Sequence, residues 1–168
     1  MESSAGEVTE FPRPPQTFTD RAGEEIRITA YDGGPDPLAA MYLDYDDASR
    51  AQGLPPRGEA QIREWLDDLL EAGLSVAAWH DDRVVGHAVL FPYDDTAELA
   101  IFVHPEYQTI GIGSRLIRIL LGYGQANDLD HVWLAVERTN LVAMNLYKSV
   151  GFETTVRDRA EHEMELTL

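Results

Sequence analysis

Val103-His104-Pro105-Glu106-Tyr107-Gln108-Thr109-Ile110-Gly111-Ile112-Gly113-Ser114 is the stretch on which the fold turns. The apolar run Ala97–Val103 ends here as a strand ends, and Pro105 prevents it from continuing. A glycine-bearing loop then feeds a helical pattern over residues Gly111–Ala126. Glycine lets the backbone approach a ligand closely and reach positive φ. Consecutive N–H groups at a helix start, aided by the macrodipole, form a phosphate site that needs no lysine. That matters in a chain whose single lysine is Lys148.

Several kinds of phosphate loop compete for this stretch. A dinucleotide fingerprint, G-x-G-x-x-G, requires a third glycine where Leu116 stands. A P-loop requires Gly-Lys, and the chain has no such pair. What remains is Gln108-x-x-Gly111-x-Gly113, either a ligand loop or a plain strand–helix turn. A second segment bears on that choice: Asn140-Leu141-Val142-Ala143-Met144-Asn145-Leu146-Tyr147-Lys148-Ser149-Val150-Gly151-Phe152. Asn140 and Tyr147 lie two helical turns apart and so share a face, with small Ala143 between them. Each residue also has an ordinary role: Asn140 as an N-cap, Gly151 just past a helix end, Tyr147 in a core.

The two motifs, in this order and at this spacing, resemble the pyrophosphate loop and the second signature of the GNAT family of N-acetyltransferases. The resemblance is strong from Leu74 to Phe152 and weak over the first two helices. It implies an α/β fold: a mixed central sheet of six or seven strands with a splayed central pair, flanked by about four helices. It implies acetyl-CoA as cosubstrate, with the pantetheine arm paired to the edge of Ile101, Phe102 and Val103. Gln108 would open the loop, and the amides of Thr109, Ile110, Gly111, Ile112, Gly113 and Ser114 would hold the pyrophosphate. Asn140 would contact the pantetheine. Tyr147 matches the tyrosine that protonates the leaving thiolate, and a backbone N–H of Phe102 or Val103 would stabilise the oxyanion.

Making a lysine-type amine neutral at pH 7 costs about 4.6 kcal/mol, so a base is wanted. Glu98 lies in an otherwise apolar strand and resembles the glutamate base of bacterial and archaeal protein-lysine acetyltransferases; the alternative is a solvent-facing edge residue. Glu137 or a water chain is the reserve. Ribosomal-protein alanine N-acetyltransferases carry a glutamate where this chain has Ala135, which speaks against that subgroup. His104 reads as a loop residue, and Ser114 lacks a histidine orienter for a nucleophilic role. Direct transfer to a primary amine, a protein lysine first, is the expectation. A small amine such as a polyamine, amino acid or antibiotic is the alternative, and a non-catalytic acetyl-CoA sensor is a third reading. A homodimer is one arrangement the resemblance allows.

Outward from these motifs the chain reads as one domain, residues 21–168, after a flexible tail over 1–20. Glu25–Tyr31 alternates as a strand does, Asp36 caps a helix reaching about Ala48, and a loop holds Gly53-Leu54-Pro55-Pro56. Glu59–Ala72 has a helical apolar stripe ended by Gly73, and Leu74–Trp79 with Arg83–Phe91 reads as a hairpin. Strands are expected over His131–Val136, Phe152–Arg157 and His162–Leu168, with a helix at Leu141–Val150.

Composition bounds the rest. With no cysteine and five scattered histidines, neither a disulfide nor a metal site is expected. No apolar run approaches the roughly 18 residues that span a bilayer, and the first twenty residues do not read as a signal peptide. A cytoplasmic protein without a membrane partner is therefore expected. Thirty acidic against 13 basic residues give a formal charge of −17, which disfavours nucleic acid. Self-repulsion of that size is screened in ~1 M salt, where the Debye length is about 3 Å. The expectation is a salt-adapted cytoplasm, as in halophilic archaea.

Overall fold

A computed structural model describes residues 10–46, 50, 54–108, 110–158 and 160–168. Its strands are β1 (Gln16–Thr19), β2 (Glu25–Ala30), β3 (Leu74–His80), β4 (Arg83–Tyr93), β5 (Thr96–Val103), β6 (His131–Glu137), β7 (Glu153–Arg157) and β8 (Glu161–Thr167). The helices are α1 (Asp36–Tyr42), α2 (Glu59–Ala72), α3 (Ile112–Ala126) and α4 (Leu141–Val150). The strands form one sheet in the order β1-β2-β3-β4-β5-β6-β8-β7. Neighbours are antiparallel except β5 and β6, which run parallel. The mixed α/β architecture is as expected, with eight strands in place of six or seven.

The added strand is β1, and it corrects the expected tail. Residues 1–9 lie outside the described residues, but 10–20 are part of the domain. Phe11 is buried, and its N–H donates to Gln125 Oε1 at 3.0 Å. A Cβ on Gly122 would lie 1.8 Å from the Pro12 carbonyl oxygen, so the bare glycine of α3 is what lets this segment lie against the helix. The segment lacks periodicity because its contacts are made by backbone across more than a hundred residues of sequence. Local patterning cannot report them.

Two smaller expectations also change. Asp36 is the first helical residue of α1, with Pro35 as its cap, and the described helix ends at Tyr42 rather than Ala48, which lies outside the described residues. Gly53 in the expected loop lies outside them as well. Gly73 does end α2, but in extended backbone rather than a left-handed turn. Its value is space: a Cβ there would lie 2.4 Å from Val89 Cγ2.

The sheet separates two apolar layers. On one face Ile112, Leu116, Ile117 and Leu120 of α3 and Met144, Tyr147 and Val150 of α4 pack with Ala97, Leu99, Val132 and Leu134. Each fully buried aliphatic side chain there stabilises the fold by roughly 1.5–3 kcal/mol. On the other face Leu38, Met41 and Tyr42 of α1 pack with Ile62 and Leu66 of α2, and Phe102 closes the layer edge-on to Tyr42 and Trp65. Strand alternation therefore sends Glu98, Ala100 and Phe102 to the α1/α2 face and Leu99, Ile101 and Val103 to the α3/α4 face.

Candidate active site

β5 and β6 pair over only three rungs, from Thr96–His131 to Glu98–Trp133. Beyond them β5 stays with β4 as far as Val103–Gly86, and β6 stays with β8 as far as Glu137–Glu161. Each strand follows its outer neighbour, and the two splay apart as expected. A cleft of about 470 Å³ occupies the gap. It is lined by Glu98 to Val103 on one side and by Ala135, Val136 and Glu137 on the other, with α4 below.

The backbone of β5 supplies the polar groups of this gap. The His104 N–H donates to the Val85 carbonyl, and the β4–β5 register runs unbroken from there. In an antiparallel ladder bonded and open pairs alternate. The amide groups of Phe102 thus turn to His87 of β4, while those of Ile101 and Val103 turn into the gap. Of the two oxyanion donors expected, Phe102 is spent in the sheet and the Val103 N–H faces the cleft. The Val103 carbonyl already accepts from Tyr45 Oη at 2.6 Å and Gln108 Nε2 at 3.1 Å.

Past Val103 the chain makes one 3-10 turn, Pro105–Tyr107, and is anchored by His104. The His104 ring is 1 % exposed. Its Nδ1 accepts from the Glu106 N–H at 3.0 Å, so Nε2 carries the proton and donates to Asp44 Oδ2 at 2.8 Å. That hydrogen bond, with Arg83 3.1 Å from the same oxygen, holds the Asp44 carboxyl below its usual range. His104 is thus a loop residue, as the sequence suggested, and it fastens the loop to the segment after α1.

Gly111, at φ +97°, caps α3 in a left-handed conformation that side chains avoid. Gln108, Gly111, Gly113 and Ser114 line the cleft. Ile110 and Ile112 do not: Ile112 is fully buried in the core and Ile110 packs against it, so only their backbones are available to a ligand. Thr109 lies outside the described residues. Two residues without a sequence signal join this end of the cleft. Tyr45 reaches it from beyond α1, and Arg21 from the β1–β2 turn. Both arrive through contacts remote in sequence.

α4 places the second motif as its periodicity requires. Asn140 caps the helix through Oδ1, which accepts the Ala143 N–H at 3.1 Å, and its amide NH₂ is left as the group available to a ligand. Gly151, at φ +122°, and the Phe152 N–H close the other end on the Tyr147 carbonyl. Tyr147 lines the cleft at 8 % exposure, edge-on to Phe152. Burial pushes its phenol up to about 12, so it remains a proton donor at neutral pH. Glu98 lies across the gap on the α1/α2 side. Partial burial, then the charge of Glu161, push its carboxyl up from the usual value. Glu137 also lines the cleft, at the far end of β6.

This arrangement suits a thioester with a long amide-bearing arm. The open strand edge offers amide partners, Leu99, Ile101, Val142 and Leu146 offer apolar wall, and the glycine loop offers N–H groups to an anion. No group of ligating side chains able to hold a metal occurs among the described residues.

A family model described as "Acetyltransferase (GNAT) family" matches residues 38–152. The chain belongs to this family, whose members are acetyl-CoA-dependent acetyltransferases. It is 32% identical over 115 residues to an uncharacterized N-acetyltransferase of Mycobacterium tuberculosis, covering 65% of this chain and 72% of that protein. It is 31% identical over 86 residues to a ribosomal-protein alanine N-acetyltransferase of Haemophilus ducreyi. That match covers 50% of this chain and 59% of the relative's length. Among solved structures, the GNAT domain of an S. lividans protein named PAT superposes with a TM-score of 0.77 at 17% identity, over 92% of this chain and 97% of that one. A putative acetyltransferase of Salmonella typhimurium, solved with acetyl-CoA, gives 0.68 at 19% identity over 84% and 94%.

The relatives bear on one expectation directly. Ala135 was grounds for setting the ribosomal-protein alanine enzymes aside, yet such enzymes are among the relatives this sequence matches. Residue 135 lines the cleft as an alanine all the same.

Proposed function

We propose that this chain transfers acetyl from acetyl-CoA directly to a primary amine on a protein, with a lysine side chain as the first candidate. One observation carries the reading: Glu98 and Tyr147 flank the same splayed gap from opposite faces of the sheet. A base facing the α1/α2 side and an acid facing the α3/α4 side suit an acceptor and a donor that enter separately. The acyl donor lies along Ile101 and Val103, its pyrophosphate on the loop and Asn140 on its arm. Glu98, held above the usual carboxylate range, removes a proton from the incoming ammonium, directly or through water. The neutral nitrogen attacks the thioester carbon, the Val103 N–H meets the oxyanion, and the C–S bond breaks. Tyr147 supplies the hydrogen bond and proton the departing sulfur needs. Nitrogen loses two protons in all, one through Glu98 to solvent and one that replaces the proton Tyr147 gives to sulfur, and no acyl-enzyme forms.

A second reading has its own support: the alanine N-acetyltransferases among the relatives favour a protein α-amine as acceptor. An α-amine, with a pKa near 8, needs little help from a base at neutral pH, whereas a lysine amine near 10.4 needs much. Replacing Glu98 therefore separates the two. The charge of −17 supports a protein that works in a salt-rich cytoplasm. No helix among the described residues is long and apolar enough to cross a membrane.

The test is acetyl-CoA turnover in high salt against lysine peptides, N-terminal alanine peptides and polyamines, for wild type beside Glu98→Gln and Tyr147→Phe. Turnover with a peptide, lost in both variants while CoA binding persists, is the expected result. Turnover with polyamines alone replaces the protein acceptor by a small amine. Binding without turnover against the whole panel leaves a sensor, and no binding at all ends the reading.

A further inference from the structure

The phosphate loop has no cation of its own, and the structure brings one from a distant segment. The turn between β1 and β2 lies against the loop. The Arg21 N–H donates to the Ile110 carbonyl at 3.0 Å, joining two segments almost ninety residues apart in sequence. The turn is shaped by Asp20, whose Oδ1 accepts from the N–H groups of Ala22 and Glu24, both at 2.9 Å. The Arg21 side chain lies across the first loop glycine, with Nε 3.7 Å from where a Gly111 Cβ would stand. It lines the cleft together with Gln108, Gly111 and Gly113. Beside it, the Arg115 guanidinium in the first turn of α3 lies 4.9 Å over the Phe18 ring of β1.

We propose that Arg21 binds the pyrophosphate of the acyl-CoA donor, so that the β1–β2 hairpin completes the donor site. This rests on the acetyl-CoA reading above and adds a residue from outside the family motifs. Guanidinium presents a planar fork of donors to phosphate oxygens and stays charged at every working pH. The local need is clear, since two phosphates must approach a chain of net charge −17 and find only backbone dipoles in the loop. Gly111 reaches the left-handed region the loop requires, and the arginine stem passes it at van der Waals distance.

The experiment compares donors rather than rates alone. Acetyl-CoA and acetyl-dephospho-CoA both carry the pyrophosphate, whereas S-acetyl-pantetheine carries no phosphate. For Arg21→Gln, the preference for acetyl-CoA over acetyl-pantetheine, as a ratio of kcat/KM values, should fall roughly tenfold, mostly through KM. Acetyl-dephospho-CoA should lose as much as acetyl-CoA, and Arg21→Lys should recover part of the loss. The effect should shrink as salt rises. Equal losses with all three donors would make Arg21 a structural residue and overturn the proposal. A loss confined to acetyl-CoA would move the contact to the 3′-phosphate and overturn the pyrophosphate assignment. Arg21→Gln indistinguishable from wild type would remove this inference alone, whereas wild type blind to CoA would remove the underlying reading as well.

Discussion

The two walls of the cleft are built by different means. The donor wall, from Gln108 to Ser114 and from Asn140 to Tyr147, is made of backbone amides, a helix cap and one glycine, Gly111, in left-handed conformation. The acceptor wall, with Glu98, Tyr45 and Phe102, is made of side chains that come from β5 and from beyond α1 and meet by packing. A wall made of backbone dictates which residue types stand where, and at what spacing. A wall made of side chains accepts many sequences. In the proposed reaction the donor wall serves the cosubstrate that the family shares, and the acceptor wall sets which amine can enter.

Substitutions can break or sharpen that contrast. The largest effect is expected at Tyr147, on the donor wall. Tyr147→Phe should lower kcat about 10³-fold, within the range for a lost acid, with CoA affinity retained in equilibrium binding. If affinity falls instead, Tyr147 belongs to binding and the division of labour fails. Glu98→Gln should lower kcat with lysine peptides about 10²-fold and remove the acid limb of the pH–rate profile. That limb should lie above the ordinary carboxylate range, because burial and Glu161 raise the Glu98 carboxyl. Activity is gained as pH rises through it.

Gly122→Ala sets a backbone contact outside both walls against these chemical losses. Its methyl would meet the Pro12 carbonyl, so urea unfolding should show a loss of about 2 kcal/mol. A smaller effect is expected at Tyr45→Phe, which removes one of two donors to the Val103 carbonyl. About a fivefold fall in kcat/KM is expected, near the worth of one neutral hydrogen bond. A larger fall would mean that the acceptor wall also orders the donor strand.

A stability measurement probes the buried layer beneath the acceptor wall. His87 is fully buried, held between Tyr42 Oη at 2.7 Å and Ser75 Oγ at 3.1 Å, and burial lowers its pKa to about 3. Unfolded, it titrates near 6.5, so between those values the unfolded chain binds the extra proton. The stability present above about 6.5 is lost as pH falls toward 3. The slope of unfolding free energy against pH in that window should flatten in His87→Gln.

What the sequence showed follows the same division. Gly111, Asn140, Tyr147 and Gly151 were legible because their φ values, caps and helical spacing demand those residue types. Seven strands were legible, Glu25–Tyr31 from alternation and those of the central sheet from apolar runs bounded by turns. β1 was not, since Gln16–Thr19 is short and mostly exposed, and the nearby anchor Phe11 is a single residue among polar and proline neighbours. Arg21 and Tyr45 were illegible for a related reason. Each reaches the site through contacts remote in sequence, and a single arginine in a polar turn looks like any other. Glu98 stood out because it interrupts an apolar run and because that run resembles a glutamate-bearing strand of the family.

The three rungs joining β5 to β6 carry one last consequence. Strands β1 to β5 are antiparallel neighbours in chain order, and β6, β8 and β7 form a second antiparallel group with β8 in the middle. The sheet is two rafts moored at one end by Thr96–Glu98 and His131–Trp133. A donor lying in the gap would act as a temporary mooring line along the free length. Amide hydrogens of Ile101 and Val103 should then exchange quickly in the empty protein and slowly once acetyl-CoA is bound.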